Sequence, residues 1–226
     1  MIQDEIAQSL ETESIEKTLS IIELIKSGGL AGQLIIALLT GLLVVALYIY
    51  FERLFTIKAA SKVDPNFMNQ IKDHVVNGKI EAAKALCTNV NSPVSRLIHK
   101  GISRIGRPLA DINSAIENAG KLEVYSLEKN VSILATISGA APMIGFLGTV
   151  IGMILSIFEI ANSGGQIDIK LLADGLYTAM TTTVAGLVVG IISYISYNYI
   201  VGRTNKVVYQ MEANSVEFLD LLNEPI

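Results

Sequence analysis

Three long stretches of the chain carry no charged residue: between Lys26 and Glu52, between Lys129 and Glu159, and between Asp174 and Arg203. Each exceeds the roughly 20 residues that cross a hydrocarbon core as helix. The pattern predicts transmembrane helices over 30–51, 131–161 and 169–202. The second and third windows hold about 28 residues each, roughly 42 Å of helix. That exceeds a bilayer core, so these helices tilt or project beyond it. Around them lie a segment 1–29, a mixed segment 52–130, a short loop 162–168 and a C-terminal helix 203–226. The first of these sets Ile15, Leu19 and Ile22 at helical spacing among acids, the pattern of an amphipathic helix on a membrane surface.

The mixed segment reads as a small helical bundle. In "DPNFMNQIKDHVVNGK", Asp64 is the expected N-cap, Pro65 the first helical residue and Gly78 the stop. "IEAAKALCTNV" makes a second short helix, and "SPVSRLIHKGISRIG" a third, capped by Ser92 ahead of Pro93. A fourth, "PLADINSAIENAGKLEVYSLEKN", is expected to run unbroken into the second span. About 80 residues are too few for a robust core of their own, so the bundle should pack on helices that project from the membrane. The fold class is all-α: a polytopic membrane protein of three transmembrane helices, with helices two and three extended into the cytoplasm beside this bundle.

Charge sets the orientation. Of 17 lysines and arginines, twelve lie between Arg53 and Lys129, and Arg203 and Lys206 follow the third span. Basic residues flanking spans stay in the cytoplasm. The N-terminus and loop 162–168 are therefore expected outside, and 52–130 and 203–226 inside. The basic residues are interleaved with acids and form no nucleic-acid stripe. The lone Cys87 excludes an internal disulfide framework. His74 and His99 have no ligand cluster around them, and nothing calls for a metal or cofactor.

Polarity within the spans is selective. The first is leucine, isoleucine, valine and alanine, with Tyr48, Tyr50 and Phe51 at its inner end, and reads as lipid-facing. In the second, Ser138, Ala141, Gly145, Gly148, Gly152 and Ser156 step by three or four, with Thr149 on the edge of the stripe. Pro142 frees a carbonyl within it. In the third, Ala179, Thr183, Gly186 and Gly190 make another stripe, and Thr178 and Thr182 lie beside it. Small stripes let helices approach closely in lipid. A threonine in such a helix often bonds only its own backbone, but four in "TAMTTT" beside a glycine stripe suggest a polar, narrow surface. No ionisable group stands in the middle of any span; Glu159 and Asp174, both at the outer end, come nearest. A threonine hydroxyl does not titrate near neutral pH. Proton passage would therefore need a carboxylate from another chain.

"APMIGFLGTVIGM" (141–153) resembles the P-x-x-G-L-x-G-T-V-x-G signature of the MotA/TolQ/ExbB proton-channel family. "AMTTTVAGLVVGI" (179–191) resembles its A-L-x-A-T-A-x-G-L signature, and "ERLF" (52–55) the exit of its first span. The resemblance covers about residues 30–205, and three spans with a large inner loop fit the ExbB and TolQ branches. It implies a multi-pass protein of the bacterial inner membrane that forms a pentamer around an ExbD- or TolR-like single-span partner bearing an intramembrane aspartate. Proton flow would then do work on a TonB- or TolA-like protein. The family's polar threonines carry over to Thr149 and Thr183, expected to face a central space at similar membrane depth, with Thr178 and Thr182 as further lining. Pro142, Gly145 and Gly148 match the second-span signature. Thr178 stands where the family often has glutamate, and Ile192 where it often has proline. A TolQ-like subunit and a non-conducting scaffold remain as alternatives. An intramembrane enzyme is disfavoured, because no base lies in the spans to activate a nucleophile.

Overall fold

The computed structural model describes residues 29–62, 64–162 and 169–223. The expected amphipathic helix before residue 29 and most of the loop 162–168 lie outside them. The described residues form seven helices: α1 (Gly29–Ala60), α2 (Phe67–Val76), α3 (Ile80–Val90), α4 (Pro93–Ile102), α5 (Leu109–Leu127), α6 (Val131–Asn162) and α7 (Ile169–Asn223). Three of them, α1, α6 and α7, are long and apolar enough to cross a membrane. At 32 residues α6 exceeds a bilayer core, and α7 continues for 55 residues as one helix through Ile192 and past Arg203. Met143, Phe146, Ile154, Phe158, Met180, Val184 and Ile191 stand exposed along them. Such apolar exposure suits lipid or a partner helix.

Contacts divide the chain into two compact units. One comprises the described residues up to Leu42 together with Ala140–Gly190; the other comprises Leu43–Gly139 and the described residues from Ile191. The second unit has a continuous core. Phe67 and Ile71 of α2, Ala83 and Cys87 of α3, Val94, Ile98 and Ile102 of α4 and Ile112 and Ile116 of α5 meet Ile57 of α1 and Ile200, Val207, Met211 and Phe218 of α7. As its length required, the bundle completes its core on the ends of the long helices. A Cβ on Gly101 would lie 2.6 Å from the Phe218 ring and 2.8 Å from Ile116. Only a glycine lets α4, α5 and the end of α7 meet there.

Polar ties hold the bundle's corners. Ser92 caps α4 by accepting from the Ser95 N–H at 3.1 Å, and the Ser95 hydroxyl accepts from the Ser92 N–H at 2.8 Å. Arg96 donates to both Glu123 oxygens at 2.6 Å and to the Asn91 carbonyl at 3.1 Å, tying the left-handed C-cap of α3 to α5. That bidentate pair raises the Arg96 pKa. Arg53, 5% exposed, donates to the Ser126 carbonyl at 2.9 Å, in the last turn of α5. A cation there meets the negative end of the helix, and Glu52 forms an ion pair with the same guanidinium.

Two local expectations need correction. The fourth bundle helix and the second span are separate: α5 ends at Leu127, and Asn130 takes a left-handed φ of 62° before α6 begins. Asparagine tolerates that conformation, so the break needs neither glycine nor proline. The first bundle helix starts at Phe67, with Asn66 at its N-cap. Asp64 instead accepts from the Asn66 N–H at 2.8 Å, closing a turn that contains Pro65.

Cys87 is buried, and desolvation pushes its thiol from an ordinary 9.0 up to about 11. Below pH 9 the folded protein then holds roughly one-hundredth of the usual thiolate. Maleimide labelling at pH 8 should be slow in the native state and fast after denaturation; equal rates would mean that the thiol is accessible. The folded pKa is the higher one, so the stability that goes with the buried neutral thiol is fully present below pH 9.0 and is lost as pH rises through about 11.

Candidate functional site

The small-residue stripes of α6 and α7 face each other, antiparallel, in one seam. A Cβ on Gly145 would lie 2.7 Å from the Thr182 carbonyl oxygen and 3.1 Å from the Gly186 Cα. One on Gly186 would lie 2.5 Å from the Ala141 carbonyl oxygen and 2.9 Å from the Gly145 Cα. Further along, Gly148 meets the Thr182 side chain, Gly152 meets Ala179, and Gly175 meets Ser156. At Gly145 and Gly186 backbone lies on backbone, so no side chain could give way. Gly175 extends the α7 stripe one turn beyond what the motif marks, and its spacing from Ala179 was the available signal. Gly190 is buried farther along α7. Pro142 sits inside α6, where it can donate no hydrogen bond to the Ser138 carbonyl.

The four threonines have different surroundings. Thr182 is fully buried in the seam, and its hydroxyl donates to the Ala179 carbonyl at 2.8 Å with the Gly145 carbonyl at 3.2 Å. That environment is packing within the chain. Thr181 bonds back to the Tyr177 carbonyl at 2.9 Å. Thr178 turns toward α1: a Cβ on Gly32 would lie 3.0 Å from its methyl group. Thr149 and Thr183, both half-buried, bring their hydroxyls into direct contact across the seam. Thr149 also reaches the Ala179 carbonyl at 3.1 Å, and Thr183 the Gly145 carbonyl at 3.1 Å.

This pair has a property that neither residue has alone. Two hydroxyl protons serve three contacts: the Ala179 carbonyl, the Gly145 carbonyl and the hydroxyl–hydroxyl contact. Whichever arrangement holds, one contact lacks its proton, and hydroxyl lone pairs remain to accept one from outside. The pair is a half-exposed acceptor in an otherwise apolar wall. It holds no titrating group of its own. Glu159 is exposed near the end of α6, and Asp174 falls in α7 with its side chain outside the described residues. Among the described residues no three His, Cys, Asp or Glu side chains gather as a metal site would need.

The profile of the MotA/TolQ/ExbB proton channel family matches residues 89–213, more than half of the chain and the whole of this seam. A biopolymer transport protein ExbB homologue of Methanothermobacter thermautotrophicus is 28% identical over 194 residues, 85% of this chain and 67% of its own. The biopolymer transport protein ExbB of Aquifex aeolicus is 38% identical over 87 residues, 38% of this chain and 58% of its own length. The Tol-Pal system protein TolQ of Pseudomonas aeruginosa is 23% identical over 228 residues, 96% of this chain and 98% of its own. The whole of α6, most of α7 and the glycine seam with its threonine pair lie within the matched stretch. The chain belongs to the MotA/TolQ/ExbB proton channel family.

Proposed function

We propose that this chain is the multi-pass subunit of an ExbB-like, proton-driven motor of the bacterial inner membrane. It would assemble as a homopentamer around a single-span partner that carries an intramembrane aspartate, and would energise a TonB-like protein. The Thr149–Thr183 hydroxyl pair carries this reading. It offers acceptors to a protonated carboxyl or a bridging water, and no span has a mid-membrane ionisable group of its own. The partner would bring the titrating group, and the threonines would orient and solvate it. The N-terminus and the loop 162–168 would face the periplasm, as the lysine and arginine distribution indicates. An impermeant thiol reagent should then label S163C in intact cells.

A TolQ-like role in envelope maintenance is the second reading, favoured by the end-to-end match to the Pseudomonas aeruginosa protein. Complementation separates the two. Expression with its single-span partner should restore protonophore-sensitive, TonB-dependent uptake to cells lacking ExbB and TolQ. Rescue of detergent resistance alone would move the assignment to TolQ. Rescue of neither, with the partner co-purifying, would point to a scaffold.

A further inference from the structure

A cavity of about 370 Å³ opens between the end of α1 and the middle of α7, within the second unit. Its lining includes Phe55 and Lys58 of α1 and Tyr199, Arg203, Lys206 and Gln210 of α7. The volume lies within the roughly 300–1,000 Å³ of small-ligand sites. Three cations converge there, and among the described residues none of them forms an ion pair with a carboxylate. Arg203 donates through Nε and Nη2 to the Tyr199 hydroxyl, at 3.1 and 2.9 Å, and its guanidinium lies 5.3 Å from that ring. Both N–H groups fill Tyr199's lone pairs, so its own O–H points its proton elsewhere. Nη1 of Arg203 keeps its protons for another acceptor. Gln210 adds a buried Oε1 with no partner of its own. The set is rich in donors around a concave space: it asks for an anion with several oxygens.

The place along the chain says which anion. Arg203 is the first charged residue after the third uncharged window, and Lys58 lies six residues past Glu52, which closes the first. From Arg203 to Gln210 is roughly 10 Å of helix, comparable with the headgroup layer of one leaflet, about 5–8 Å. At the mouth Phe55 is 67% exposed and Tyr199 42% exposed, so apolar surface continues from the cations toward the uncharged helix faces. A free anion would have no use for that surface, and an acidic protein segment would leave it bare. We propose that this cavity binds the headgroup of an anionic phospholipid. The cations and Tyr199 would hold the phosphate, and the acyl chains would lie along the apolar faces.

The test uses the full chain purified in detergent. Its Tm is measured against added phosphatidylglycerol, phosphatidylcholine and inorganic phosphate, and native mass spectra count bound lipid. Phosphatidylglycerol should raise the Tm and be retained, whereas the other two should do neither. The K58Q/R203Q/K206Q variant should lose phosphatidylglycerol affinity by about 5-fold per cation removed. The K100Q/R104Q/R107Q variant removes three exposed bundle cations and should keep it. Lipid counts read the site even if the first variant's own Tm falls. An equal response to phosphatidylcholine, or an equal loss in the bundle variant, would reduce the effect to bulk attraction and overturn the site. Phosphate alone matching the lipid would make it a soluble-anion site. Unchanged lipid binding with a lost chain–chain assembly in the first variant would make it a protein contact instead.

Discussion

In the proposed motor, a T149V/T183V double variant should assemble normally, bind the proposed single-span partner and fail to do proton-driven work. Valine nearly matches threonine in shape, so the glycine seam around these positions should close as before. What disappears is the hydroxyl pair and both of its carbonyl contacts. Each lost hydrogen bond to a charged or transiently charged group costs about 1.5–3 kcal/mol, roughly ten- to a hundred-fold in rate where it acts on the limiting step. T183S keeps the oxygen and should retain most activity. T181V removes only a bond back to the Tyr177 carbonyl and should be close to neutral. The measurement is protonophore-sensitive uptake, read beside partner pull-down. Full activity in the double variant would assign both hydroxyls to packing alone.

The second large effect is expected at Gly186. Alanine there would place its methyl group 2.5 Å from the Ala141 carbonyl oxygen and 2.9 Å from the Gly145 Cα, so α6 and α7 must separate. Overfilling a close-packed site costs about 1–3 kcal/mol, and here the obstruction is backbone. Gly148→Leu should be worse, since its side chain would enter the space of Thr182 and Ile35. Gly139→Ala on α6 is the control: nothing lies within 4 Å of its Cβ position. G186A should lower the melting temperature in detergent and weaken assembly in native mass spectra, with G139A unchanged. Equal melting of the two would show that the helices separate at no cost.

The long helices were legible because charge is costly in hydrocarbon, and its exclusion writes uncharged windows into the sequence. The α4 start was legible because Ser92 and Pro93 act locally. The Asn130 break was not, because asparagine can adopt either helical or left-handed backbone and its neighbours carry no punctuation. The stripes on α6 and α7 followed from helical spacing, and the family signatures singled out Thr149 and Thr183. Spacing does not say which neighbour a face meets. Thr182 and Thr183 are adjacent in sequence, yet one is sealed in the seam and the other is half-buried. Likewise nothing local marks Arg53 as the partner of a carbonyl 73 residues away.

Phe218 closes the core around Gly101, and this has a consequence for biosynthesis. A ribosome adds about 5–20 residues per second, so the roughly 90 residues from the end of α5 to Phe218 take about 5–18 s. During that interval Ile98, Ile102 and Ile116 have been made but Phe218, the last fully buried residue of their core, has not. The nascent bundle must wait, with apolar surface uncovered, while two membrane helices are threaded. Quality control therefore has a defined window in which to recognise this chain, and a chain halted just short of Phe218 would keep that window open.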